Sequence, residues 1–88
     1  MNEAEFQELA TSEGFDAPES RSQPPNKFFE THAHERELIV LVTAGAFTVA
    51  YGEDATTFGP GEMCRVKPGV PHTDAAGPEG ASYILAWR

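Results

Sequence analysis

His32, His34 and His72 are the only histidines among 88 residues, and they fall in two short segments. In Thr31-His32-Ala33-His34 two imidazoles stand two positions apart. Side chains at i and i+2 of an extended chain leave from the same face, about 6.5–7 Å apart along it, so both rings can close on one ion. On a helix they would diverge, because helical neighbours are three or four positions apart. The pair therefore reads as half of a metal site, provided that the stretch is extended. His72 follows Lys67-Pro68-Gly69-Val70-Pro71 and opens another predicted strand. Neutral imidazoles suit Fe, Mn, Ni, Cu or Zn. The competing reading is of surface histidines at strand entrances.

Composition narrows the partners. The formal net charge is -8, which opposes binding to nucleic acid or to an anionic membrane surface. Cys64 is the only cysteine, so no intramolecular disulfide can form, and it reads as a small buried hydrophobe. No apolar run approaches a membrane span and no signal sequence is visible, so a cytoplasmic setting is the default expectation. No Ser-His-Asp or Cys-His-Asn pattern can be read from spacing, and the catalytic residues are unassigned. Arg65 and Lys67 read either as surface charge or as an anion clamp.

The elements that must position the histidines are short. Residues 2–10 predict a helix capped by Asn2, with Phe6, Leu9 and Ala10 on one face and Gly14 ending it. Residues 15–21 suit a poor first strand, and 20–26, with Pro24-Pro25, a loop. Strands are expected over 27–30, 38–43, 47–51, 56–58, 63–66, 72–74 and 83–87, with turns at 44–45, 52–54, 59–61 and 77–80. The run over 38–43 lacks polar alternation, so both of its faces should be covered. Short strands with Gly/Pro corners point to an all-β barrel or sandwich. The expected organisation is a helix and linker over 1–26 docking on a barrel over 27–88.

These residues resemble the cupin family of double-stranded β-helix, jelly-roll barrels. His32, His34 and Gly45 match its first motif; Gly61, Gly69 and His72 match its second, with Pro71 before the histidine. The resemblance implies an antiparallel jelly-roll barrel, with the short N-terminal helix added, and three histidines holding a divalent transition metal at the barrel mouth. The sequence departs from the pattern at three places. Leu38 stands where the family has a Glu that is the usual fourth ligand, Lys67 replaces a proline, and Ala76 replaces an asparagine. Asp74, two residues beyond His72 in one strand, has the parity to replace the missing carboxylate. Glu37 has the wrong parity unless a bulge intervenes, and with Glu35 it reads as a solvated charge. A plain three-histidine site stays open.

The resemblance allows a metal-binding protein acting on a small acidic metabolite, a non-catalytic small-molecule-binding or sensor module with no bound metal, or a dimeric structural protein with a vestigial site. An 88-residue barrel has little core of its own. A homodimer is therefore expected, with the N-terminal helix or first strand near the contact. Sedimentation velocity at micromolar concentration checks this: a dimer is the expected species, and a monomer counts against it.

Overall fold

Asn2 opens the one helix, α1 (Glu3–Ser12), through a full capping box. Its side chain accepts from the Glu5 backbone amide at 2.8 Å, and the Glu5 carboxylate accepts from the Asn2 amide at 2.9 Å. Ten residues do not hold a helix in water unaided, so α1 depends on docking. Phe6 and Ala10 supply it, buried against Phe15, Ile39, Leu41 and Ala86. The computed structural model describes the whole chain, Met1–Arg88.

Six strands follow: β1 (Glu19–Gln23), β2 (Phe28–His32), β3 (Leu38–Tyr51), β4 (Asp54–Phe58), β5 (Met63–Val66) and β6 (His72–Trp87). The frame is the antiparallel pair β3–β6, running from Leu38 opposite Trp87 to Ala50 opposite Thr73. β5 and β4 pair with successive halves of β3, while β1 and β2 pair with successive halves of β6. The result is two four-stranded layers, β1-β6-β3-β5 and β2-β6-β3-β4, that share two bent strands. Leu38, Val40, Val42, Tyr83 and Leu85 from one layer and Phe47, Val49 and Ala76 from the other meet in one core. This is the expected all-β jelly roll.

The turns expected at 44–45 and 77–80 are instead bends inside continuous strands. Register slips between Val42 and Ala44 and again between Gly45 and Phe47. Inward parity therefore passes from Val42 to Phe47, an odd step that an unbroken strand would not allow. Gly45 sits at φ 72°, and a Cβ built there would lie 2.2 Å from the Gly80 carbonyl oxygen. Small residues that read as a hairpin turn thus let two backbones touch at the fold line. The loop expected over 20–26 is also shorter. Residues 19–23 form β1, so the sheet begins before the expected boundary at residue 26. The segment Glu-Ser-Arg-Ser-Gln has no apolar pattern and is held by backbone pairing to β6.

The outer face of β3 is covered by α1, as its apolar run predicts. Beside it lies an ionic network. Glu37 accepts from Arg65 at 2.9 Å and from Arg88 at 2.6 Å, and Arg65 also reaches Glu13 at 3.0 Å. The Arg88 guanidinium lies 4.6 Å from the Phe15 ring centre, within cation–π range. Glu37 is therefore not the solvated charge expected: its side chain is 14% exposed and joins three segments. Hydrogen bonds from Arg65, and then Arg88, hold its carboxyl below the usual range. Arg65 is spent on this outer network and is no anion clamp at the barrel mouth, and Lys67 is exposed. Cys64 is buried, and burial pushes its thiol up to about 12, consistent with a core role. No helix is long and apolar enough to cross a membrane.

Two outcomes follow. Gly45→Ala meets the left-handed penalty of about 1–2 kcal/mol and a backbone clash besides. Denaturant unfolding should show a loss of roughly 2 kcal/mol or more; unchanged stability would mean that the backbones do not touch there. Glu37→Ala should lower Tm at neutral pH. A carboxyl whose folded pKa is depressed stabilises above its unfolded value of about 4.3 and loses that contribution as pH falls through the folded value. The gap in Tm between wild type and variant should therefore close on acidification below about pH 4, and a gap constant with pH would refute the ionic account.

Candidate metal centre

His32 ends β2, His34 lies two residues beyond it, and His72 begins β6. His32 faces His72 across the β2–β6 pair. The register slips between Phe29 and His32, and this bulge turns His32 to the inner face that Phe29 and Asp74 already occupy. His34 is fixed by its backbone, whose carbonyl accepts from the Gly69 amide at 2.8 Å. The three rings converge: one ligating atom from each lies within 4.8 Å of the others. Ring centres are 4.4 Å apart for His32–His72, 4.9 Å for His32–His34 and 5.2 Å for His34–His72.

The backbone also sets the tautomers. His32 Nδ1 lies 2.7 Å from the Glu30 carbonyl, and His72 Nδ1 lies 2.9 Å from the Val70 carbonyl. A carbonyl only accepts, so each Nδ1 carries a proton, and in the neutral ring Nε2 then presents a lone pair. Such outer hydrogen bonds orient metal-binding imidazoles. His72 is 2% exposed, and its Nε2 is buried with no hydrogen-bond partner. An acceptor buried and unpaired costs about 1–3 kcal/mol, a cost that an ion at that lone pair removes. The donor set fits a divalent transition ion. Three imidazoles with further positions open is a recurrent catalytic arrangement.

Asp74 enters the same cluster. Its Oδ2 lies 3.2 Å from His32 Nε2 and its Oδ1 3.7 Å from His72 Nε2. Two lone-pair atoms at 3.2 Å repel unless a proton or a cation lies between them. Burial pushes the Asp74 carboxyl up, and the imidazoles, His72 foremost, pull it back in part. Burial and the neighbouring imidazoles lower His34, which favours its neutral form. Glu37 points away into the outer network, and Glu35 is exposed.

The centre opens on a cavity of about 240 Å³ between the two layers. His32, His34 and Asp74 line it together with Leu38, Val40, Phe47 and Leu85. Leu38, at the position where the cupin pattern has Glu, is thus an apolar wall beside the histidines. The indole of Trp87 stands edge-on to His34 with ring centres 5.0 Å apart. Arg21 and Gln23 also line the cavity. Sequence reasoning singled out neither: Arg21 fell where an expected poor strand over 15–21 overlapped an expected loop over 20–26, and Gln23 fell in that loop; their i, i+2 spacing in a polar edge strand was the available signal.

No curated protein sequence is significantly similar to the chain. Among solved structures, a cupin-2 domain protein from Shewanella frigidimarina is 23% identical with a TM-score of 0.69, over 82% of this chain and 70% of that one. The DMSP lyase DddQ from Ruegeria pomeroyi is 23% identical with a TM-score of 0.72, over 82% of this chain and 37% of that one. Oxalate decarboxylase from Bacillus subtilis, an enzyme with Mn(II) centres, is 24% identical with a TM-score of 0.71, over 81% of this chain and 20% of that one. At these identities the likeness is one of fold, and this chain spans only a fraction of either enzyme. Residues 20–86 match the family profile described as the AraC-like ligand binding domain, and with most of the sheet inside that match the chain belongs to this family of small cupin-type domains.

Proposed function

We propose that this domain binds a divalent transition metal ion through His32, His34 and His72, with Asp74 as a fourth protein group, and takes a small acidic molecule into the adjoining cavity. The observation that carries the reading is the buried, unpartnered Nε2 of His72, aimed at two other imidazoles. The metal would be Fe, Mn, Ni, Cu or Zn. When bound, it supplies Lewis acidity to a ligand oxygen at a position that the protein leaves open. The chain's own residues do the rest. Glu30 and Val70 carbonyls hold the ring orientations, Asp74 offers a carboxylate beside His32, and the apolar cavity wall limits water at the centre.

A second reading is small-molecule binding without a metal. It is favoured by the family match, which is to a ligand-binding domain, and by the lack of a lining carboxylate or imidazole outside the histidine–aspartate cluster.

Elemental analysis of protein purified without a histidine tag separates the two. The expected result is one transition metal per chain, lost in His72→Ala with the fold retained by circular dichroism. Protein free of metal, and indifferent to added Zn²⁺ or Mn²⁺, would leave the second reading. Asp74→Ala should weaken metal affinity by about 10–100-fold in a competition titration, whereas Glu37→Ala should leave it unchanged. Equal affinity in Asp74→Ala and wild type would mean a bare three-histidine site.

A further inference from the structure

The cavity is furnished from two sides. The layer built on β2 and the first half of β6 supplies His32, His72 and Asp74. The other layer, built on β1 and the second half of β6, contributes a different chemistry. Arg21 is the only lysine or arginine on the cavity lining. It lies opposite Tyr83 in the β1–β6 register, so the two side chains leave the sheet on one face as cross-strand neighbours. Gln23, two residues on, donates from Nε2 to the Tyr83 hydroxyl at 3.2 Å. The phenol oxygen is thereby an acceptor, and its own proton has no acceptor in the chain. A cationic side chain and a phenolic proton are therefore cross-strand neighbours on the lining of a cavity whose other polar groups are Gln23, His32, His34 and Asp74.

We propose that Arg21 and Tyr83 form a carboxylate-reading subsite, and that the ligand is a small monocarboxylate with an apolar body. The inference rests on the reading of the cavity as a ligand site and assigns its specificity. A guanidinium and a carboxylate pair through parallel N–H···O bonds. The body of the ligand lies against Phe29, Val40, Phe47 and Leu85, and about 240 Å³ equals the liquid volume of roughly eight waters, which suits an acid of benzoate size. Glu19 now occupies Arg21 Nη2 at 2.7 Å and the Ser20 carbonyl accepts from Nη1 at 3.3 Å, but the side chains of Arg21 and Glu19 are both 47% exposed. Exposed pairs of this kind contribute little, so the ligand carboxylate can take the place of Glu19. In a chain of net charge -8, this one cation gives an anion a reason to enter.

Benzoate and the neutral isostere benzamide test the subsite by calorimetry, on the purified protein and again after EDTA treatment. Benzoate should bind at least about tenfold more tightly. Arg21→Gln should bring benzoate down to the benzamide level while leaving Zn²⁺ binding unchanged, and Glu19→Gln should tighten benzoate. Equal binding of the two probes, or binding of neither, overturns the proposal. A benzoate preference that survives Arg21→Gln but vanishes with EDTA also overturns it, because the carboxylate then sits on the metal and the metal reading stands. A preference abolished by Arg21→Gln, in protein that is purified free of metal and takes up no added Zn²⁺ or Mn²⁺, upholds the subsite and removes the metal reading.

Discussion

The antiparallel pairing of β3 with β6 is the constraint from which the rest of the molecule is derived. These two strands hydrogen-bond over nearly their full length and fold back at one line, where Gly45 meets Gly80. Each half of the pair offers two free edges, and the four shorter strands fill them. The bend brings the inner faces of both halves together, so a short chain obtains one core shared by two layers. Because β6 begins at His72 and its first half pairs with β2, the same constraint delivers His72 opposite His32. The centre is thus a product of strand register, and the loop carrying His34 only completes it.

Much of this was legible in the sequence, and the parts that were not share a cause. The helix was readable because Asn2, Glu5 and the Phe6/Ala10 stripe are local signals. The double coverage of 38–43 was readable because an unbroken apolar run in a strand leaves no polar face. The three histidines were readable as a cluster because spacing in two segments matched one family pattern. What sequence could not show is whether small residues turn the chain or bend it. Ala44-Gly45 and Gly77-Pro78-Glu79-Gly80 have the composition of turns, and only the pairing of distant strands makes them a fold line. The first strand, expected over 15–21, lies at 19–23 for a similar reason: its hydrogen bonds come from β6, and nothing in its side chains marks its bounds.

The carboxylates make the same point at the level of single residues. Asp74 lies beside His32 and His72, and Glu37 lies apart from the histidines; for Glu37 strand parity is not the cause, because residues 33–37 form no strand. Parity says nothing about what an outward residue meets. Glu37 meets Arg65 from β5 and Arg88 beyond β6, partners 28 and 51 positions away. The network they form ties the end of α1 to the end of β6, just behind the loop that carries His34. Support for the centre therefore comes from the outside of the barrel as well as from the ring-orienting carbonyls inside it.

Trp87 has a further consequence, an optical one. It is the only tryptophan in the chain, and its indole stands on the cavity wall against the edge of His34. Indole emission from this protein therefore originates at a single ring beside the candidate centre. Changes in the charge of His34, in the water around it or in the contents of the cavity all act on that one chromophore. The protein carries an intrinsic, label-free reporter on the wall of its candidate site.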